Sequence, residues 1–147
     1  MGSVAEIMGQ KQGRPLVSAH PDDSVLVATQ KMNEHSVGAL LVMNAEGRLV
    51  GIFTERDVLR RVVAVERLPS TVSVSEVMTV EVACCKPETS TDEASSIFRQ
   101  YRIRHMPVVN DNGEVQGLIS IGDLNAYHTN NQAVTIHFMH EYMQGRM

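Results

Sequence analysis

The sequence is poor in cysteine and in long apolar runs, and each deficit excludes a class of protein. Its two cysteines, Cys84 and Cys85, are adjacent, so they provide no disulfide framework, and a bond between them would need a strained ring. We expect both to be reduced, half-buried strand residues. No apolar run approaches the roughly 18 residues that span a bilayer, and Met1 to Gln12 lacks the pattern of a secretory signal. These observations predict a soluble, cytoplasmic protein without a membrane partner.

An excess of basic charge is also missing. The chain has 13 Lys and Arg against 17 Asp and Glu, a formal charge of −4, and its cations are scattered rather than gathered in a stripe. This pattern gives no electrostatic support for nucleic-acid binding. The length of 147 residues and the 43% apolar content suit one compact domain, or two small ones that share a core.

Familiar catalytic motifs are absent as well. The sequence has no Gly-x-Gly-x-x-Gly, P-loop, His-Glu-x-x-His or Cys-x-x-Cys pattern. Cys84 or Cys85 could in principle be a nucleophile paired with His105, yet the surrounding sequence is unlike that of a cysteine hydrolase. We therefore expect a protein that is not an enzyme.

What the sequence does contain is an internal duplication. At an offset of 66 residues and without gaps, a series of positions match: Pro21 with Pro87, Ala28 with Ala94, Val42 with Val108, Asn44 with Asn110, Gly47 with Gly113, Gly51 with Gly117, Thr54 with Ser120, and Asp57 with Asp123. Upstream, residues 3–8 resemble residues 73–78 at an offset of 70, so copy one has four extra residues within Gly9 to Pro15. Repeats too short to bury a core alone are expected to pack together about a pseudo-two-fold axis.

Periodicity and turn residues predict the same β-α-β-β-α order in each copy, an α/β (α+β) fold. The first strands are predicted at Leu16–Val17 and Val82–Ala83. The helices would bury stripes that include Ala28 and Met32 in copy one and Phe98 and Tyr101 in copy two, and Asn-x-x-Gly turns would join the hairpins. The predicted units are residues 1–68, residues 69–130, and a helical extension over 131–147.

The turn between the last strand and the last helix carries the candidate chemistry. It reads Gly51-Ile-Phe-Thr54-Glu-Arg-Asp57 in copy one and Gly117-Leu-Ile-Ser120-Ile-Gly-Asp123 in copy two. A hydroxyl followed three residues later by an acid is a helix-capping arrangement, which alone explains the pattern. The same pair can bind the vicinal hydroxyls of a ribose, and the glycine would let a ligand approach the backbone. Recurrence in both copies favours the second interpretation.

These turns, the apolar strand before each Asn-x-x-Gly, and the string Arg104-His-Met-Pro-Val-Val109 together resemble the cystathionine β-synthase (CBS) domain family. The resemblance covers about residues 3–127, as a pair of CBS domains. It implies a disc-like Bateman module that binds adenosine-containing ligands in the clefts between its domains. AMP would be the first choice, with ATP, ADP, NAD and S-adenosylmethionine as further options.

The resemblance also implies which residues form each cleft. The Asp57 cleft would combine the ribose-binding Thr54 and Asp57 with apolar walls from Ile52, Val82 and Ile103. The Asp123 cleft would combine Ser120 and Asp123 with Leu118, Val17 and Val37. The cations available to phosphates are Arg56, Arg104 and His105, with Lys11 and Arg14 as further contributors, and this inventory favours the Asp57 cleft for a phosphate.

Two alternatives to a ligand-binding regulator remain open: a structural dimerisation scaffold in which the turns serve only as caps, and a small enzyme that uses Cys85 or His105. A homodimer is expected, and the regulated partner is unknown. His128, His137 and His140, with nearby methionines, could suggest a metal site. Apolar residues spaced through Gln132 to Met143 favour an amphipathic packing or dimer helix instead, and no metal is predicted.

Overall fold

The computed structural model describes residues 2–11 and 16–131. The predicted helix over Gln132 to Met143, with its histidines, lies outside the described residues, as does Arg14. Within the described part the chain forms a mixed α+β fold with two small sheets.

The elements recur in both halves of the chain. The first half contains α1 (Val4–Gln10), β1 (Ser18–Ala19), α2 (Val25–His35), β2 (Ala39–Met43), β3 (Leu49–Thr54) and α3 (Glu55–Val58), which continues as a π-helical segment over Leu59–Val63. A 3₁₀ turn at Pro69–Thr71 leads into the second half, with α4 (Val74–Val77), α5 (Thr91–Tyr101), β4 (His105–Val109), β5 (Val115–Ser120) and α6 (Ile121–Asn131).

Capping and turn residues set the element boundaries. Ser24 caps α2 by accepting a hydrogen bond from the Val27 amide at 3.1 Å, and Ser90 caps α5 through the Glu93 amide at 3.0 Å. Both hairpins turn through a glycine with positive φ, 76° at Gly47 and 80° at Gly113, a conformation that glycine adopts without steric cost. The Asn-x-x-Gly prediction is therefore confirmed.

The first strand of each copy lies later than predicted. β1 pairs in parallel with β2 through Ser18 and Ala19, and its counterpart in copy two is a single bridge between Cys85 and Val108. The predicted strand positions, Leu16–Val17 and Val82–Ala83, were therefore wrong. So short a strand shows no periodicity in the sequence, and only its pairing with a neighbouring strand defines where it lies. Tyr101 was also misplaced: it is 59% exposed rather than part of the buried stripe of α5.

The first segment of each copy, here called its lead segment (residues 3–11 and 72–79), packs on the opposite copy. The Val4 amide donates to the Thr89 carbonyl and the Ala5 amide to the Pro87 carbonyl, both at 2.8 Å. The equivalent bonds, displaced by the repeat offsets, run from Val74 to Asp23 at 2.8 Å and from Ser75 to Pro21 at 3.0 Å. Reciprocal contacts of this kind are what a two-fold arrangement of the copies produces.

Because each lead segment packs on the opposite copy, an arrangement called here the exchange of lead segments, each hydrophobic core contains residues from both halves of the chain. One cluster joins α2 and the first sheet to residues of the second lead segment: Val72, Val74 and Val77. The other joins α5, α6 and the second sheet to Val4 and Ile7 of α1. The exchange brings the ends of both lead segments to the edges of β3 and β5, where the candidate turns lie.

Candidate functional site

The Thr54–Asp57 pair forms a complete capping box at the start of α3. The Asp57 Oδ2 accepts from the Thr54 amide at 3.0 Å and from its hydroxyl at 3.3 Å, and the Thr54 Oγ1 accepts from the Asp57 amide at 3.3 Å. The Asp57 Oδ1 accepts from the Thr79 hydroxyl at 3.3 Å. Asp57 is only 5% exposed, so these bonds stabilise a carboxylate that is nearly removed from water.

The Ser120–Asp123 pair repeats the geometry at the start of α6. The Asp123 Oδ2 accepts from the Ser120 amide at 2.8 Å, and the Ser120 Oγ accepts from the Asp123 amide at 3.0 Å. Asp123 also forms an ion pair with Lys11, whose Nζ lies 2.7 Å from Oδ2. Both turns therefore act as helix caps, and both present a fixed carboxylate beside a cleft.

The Asp123 turn borders a cavity of about 410 Å³ between the two copies. Copy two contributes Leu118, Ser120 and Asp123, and the opposite wall comes from Val17 and Val37 of copy one. All five residues that the resemblance implied for this cleft lie together. Sequence reasoning had not included Met8, whose end of α1 is brought there by the exchange of lead segments.

The Asp57 turn borders a second cavity of about 460 Å³. The implied residues that line it are Ile52, Thr54, Arg56, Asp57, Ile103, Arg104 and His105. Val82 is half-buried and is not among the residues that line either cleft, which corrects its implied place in the wall. Thr79 lines this cleft instead, because its backbone pairs with Ile52 at the edge of β3.

Three arginines line the Asp57 cleft: Arg56, Arg60 and Arg104. All three are exposed, and the Arg56 Nη1 donates to the Arg102 carbonyl at 3.1 Å. Sequence reasoning missed Arg60, although its position one helical turn after Arg56 places the two on the same face. The Asp123 cleft contains one cation from the described residues, Lys11, so the clefts differ in charge.

His105 and Gly38 line both clefts and so stand between them. Burial lowers the pKa of His105, and the positive charges of Lys11 and Arg104 act in the same direction, while Glu55 and Asp123 act against it. The net lowering favours a neutral imidazole at neutral pH. His105 therefore presents a flat, uncharged ring to the clefts.

The space beside each turn glycine is occupied by protein. A Cβ on Gly51 would lie 2.8 Å from the Met78 Sδ and 2.9 Å from the Thr79 carbonyl oxygen, and one on Gly117 would lie 3.0 Å from the Met8 Cε. The idea that these glycines admit a ligand to the backbone was wrong for Gly51, which does not line its cleft. Gly117 does line the Asp123 cleft, and at both glycines the lack of a side chain admits the lead segment of the other copy.

Burial disfavours the thiolate form of both cysteines. Cys85 is 5% exposed, and burial raises the pKa of its thiol to about 12. Burial also raises the pKa of Cys84, which is exposed rather than half-buried as expected. A thiol that stays protonated at neutral pH is a poor nucleophile.

Residues 2–11 and 16–131 contain neither a metal-binding cluster nor a membrane-spanning helix. No group of three or more potential metal ligands occurs there. No helix in these ranges is long and apolar enough to cross a bilayer.

The comparisons with known proteins agree with the resemblance. The family model of the CBS domain matches the chain twice, over residues 4–64 and 74–128. The chain therefore belongs to the CBS domain family and carries two copies of the domain. A mitochondrial CBS domain-containing protein of Arabidopsis thaliana is 35% identical over 84% of this chain and 62% of its own length. This chain thus spans less than two thirds of that relative.

Solved structures of CBS domain proteins match the fold. One from Burkholderia ambifaria is 39% identical, with a TM-score of 0.83, and the match covers 88% of this chain and 96% of that chain. Another, from Pyrobaculum aerophilum and solved in complex with AMP, is 25% identical with a TM-score of 0.73, over 82% of this chain and 88% of that chain.

Proposed function

We propose that this pair of CBS domains is a regulatory module that binds an adenosine-containing nucleotide, with AMP as the first candidate. The observation that carries the proposal is the repeated cleft. Each has a hydroxyl and a carboxylate fixed at a helix N-terminus on one wall, and the other copy adds Val17 and Val37 in the Asp123 cleft and Ile103 in the Asp57 cleft. Volumes of about 410 and 460 Å³ lie within the range typical of small-molecule sites. The AMP complex of a related CBS domain protein supports the choice of ligand.

Each wall would have a distinct task. The carboxylates of Asp57 and Asp123 would accept hydrogen bonds from the ribose hydroxyls, as acidic residues do in dinucleotide-binding folds. The aliphatic side chains would cover the faces of the base and shield it from water. The arginines of the Asp57 cleft would attract phosphates, so this cleft suits a more highly charged nucleotide than the Asp123 cleft does.

Regulation would follow from the position of the clefts between the copies. A ligand that touches both walls stabilises the arrangement in which the walls fit it best, and only such a difference in affinity can shift an equilibrium between arrangements. We propose that this shift alters contacts with a regulated protein and that the module acts as a homodimer. We also propose that it has no catalysis of its own, since the buried, protonated Cys85 offers no nucleophile.

Conservative substitutions test the ribose-binding role. Asp57→Asn and Asp123→Asn keep side-chain size but remove the charge, and each should weaken binding at its own cleft about ten- to hundredfold, the usual worth of hydrogen bonds to a charged group. Isothermal titration calorimetry with AMP measures this. Asp111→Asn is the matched control, because Asp111 is exposed and outside both clefts. Unchanged titrations in both cleft variants would contradict the proposal.

The alternative, a structural scaffold, is favoured by one observation: both carboxylates already have hydrogen-bond partners within the protein. Thermal melting distinguishes the two functions, because a ligand present at a hundred times its dissociation constant adds about 2.7 kcal/mol to the free energy of unfolding. A scaffold would melt at the same temperature with and without AMP, ADP, ATP, NAD and S-adenosylmethionine.

A further inference from the structure

Lys11 forms an ion pair with the Asp123 carboxylate at the edge of the Asp123 cleft. Its Nζ donates to the Asp123 Oδ2 at 2.7 Å and to the Leu118 carbonyl at 2.5 Å. Lys11 directly follows α1. The packing of α1 on copy two therefore places the Lys11 ammonium beside a residue 112 positions away in sequence. A ligand that uses Asp123 must share the carboxylate with Lys11 or displace it.

The Asp57 cleft has no equivalent of this contact among the described residues. The position that matches Lys11 at the offset of 70 is Glu81, which lines neither cleft. The cation closest to Asp57 is Arg61, whose Nε lies 3.9 Å from Oδ1. Its Nη1 donates to the Val77 and Met78 carbonyls at 3.0 and 3.1 Å, which holds the guanidinium outside the cleft.

The charges of the described residues that line the Asp123 cleft balance. Among them Lys11 and Asp123 are the charged pair, and the lowered pKa of His105 favours its neutral form. When hydroxyl groups of a ligand replace Lys11 as hydrogen-bond partners of Asp123, the half-buried ammonium of Lys11 loses its anion. A buried charge without a partner is unfavourable. A phosphate on the same ligand would give that ammonium a new anionic partner, whereas an uncharged nucleoside would not.

We propose that Lys11 makes the Asp123 cleft selective for phosphorylated ligands, by exchanging its bond to Asp123 for a bond to the phosphate as the ligand binds. The inference rests on the proposed function, and it deepens that function by naming the ligand class of one cleft: a nucleoside monophosphate in preference to the nucleoside. The geometry assigns the selectivity to a residue of the lead segment, outside the repeated turns.

The test compares AMP with adenosine by titration calorimetry in the full chain, with Asp57→Asn present to weaken the other cleft. Lys11→Met should reduce the ratio of AMP affinity to adenosine affinity about tenfold, the usual worth of one charge-assisted hydrogen bond. Adenosine should bind as well or better, since Lys11 no longer competes with it for Asp123. Lys11→Arg should retain most of the preference for AMP. Lys31→Met is the matched control, because the Lys31 Nζ bonds the Ser18 carbonyl and the residue lines neither cleft.

Three outcomes overturn the inference. A loss of AMP and adenosine affinity by the same factor in Lys11→Met would mean that Lys11 only supports the fold, and a melting curve identifies that case. Equal affinity for AMP and adenosine in the protein with Lys11 intact would show that the cleft has no charge preference, while the proposed function stands. Binding of neither compound to the unsubstituted chain would overturn both.

Discussion

His105 shows how a single side chain can belong to two sites. It begins β4 and lines both clefts, with Glu55 on one side and Asp123 and Lys11 on the other. Burial opposes protonation of its ring more than the two acids favour it, so its pKa lies below the ordinary 6.5. The protonation state of this one ring therefore affects the charge of both clefts.

The lowered pKa of His105 predicts a loss of stability in mild acid. Below pH 6.5 the unfolded chain binds a proton at this position that the folded protein resists, so the free energy of unfolding falls as the pH drops towards the folded-state pKa. His105→Gln removes this contribution. Between about pH 7.5 and about pH 5.5, denaturant unfolding should therefore show a smaller loss of stability in His105→Gln than in the unsubstituted protein.

His35→Gln provides the control, since His35 is exposed at the end of α2. If His35→Gln and His105→Gln reduce the acid sensitivity equally, burial of His105 is not its source.

At the scale of elements, the edges of β3 and β5 decide how closely the lead segments approach. Gly51 lies against the backbone of Thr79, which pairs with Ile52 through two bonds of 2.9 Å. Gly117 faces the flexible end of the Met8 side chain. A backbone neighbour cannot move without breaking the pairing, whereas a methionine side chain can adopt another rotamer.

Alanine at these two glycines should therefore have unequal effects. Gly51→Ala forces the Thr79 carbonyl away and should lower the free energy of unfolding by about 1–3 kcal/mol, the usual cost of overpacking. Gly117→Ala should cost less, because Met8 can yield. Chemical denaturation measures both values. Gly9→Ala serves as the control, since a Cβ there meets nothing within 4 Å and alanine favours the helix. Equal losses at Gly51 and Gly117 would contradict the role of the Thr79 backbone.

At the scale of the whole molecule, the exchange of lead helices joins the two copies. Ile7 of α1 is 1% exposed in the core of copy two, and Val77 of α4 is 1% exposed in the core of copy one. The core of copy two thus includes α1 from copy one, and the core of copy one includes α4 from copy two. We therefore expect the two copies to unfold together.

Ile7→Ala tests this dependence. The change removes buried atoms from the core of copy two and should cost about 2–5 kcal/mol, as cavities from isoleucine usually do. Unfolding should remain a single transition by probes of both halves. Leu26→Ala is the control for a change of similar size, because Leu26 is 40% exposed on α2. A separate early transition of one copy, or a loss no larger than that of Leu26→Ala, would contradict the coupling.

The local features of this protein were predictable from its sequence because they depend on residues a few positions apart. Serine caps, Asn-x-x-Gly turns and the Thr54–Asp57 and Ser120–Asp123 boxes all form within one turn of chain. The duplication then implied one such turn in each copy, and the family resemblance placed Val17 and Val37 opposite Asp123, where they lie.

Other features depended on how distant segments meet. The tertiary structure decided which core each lead helix completes, placed Thr79 rather than Val82 beside the Asp57 turn, and brought Lys11 to Asp123. No local pattern encodes such contacts, because they depend on the path of the loops and on the packing of both copies at once. The sequence by itself determined the two capped turns and their repetition; only the packed molecule decided which distant side chains complete each cleft.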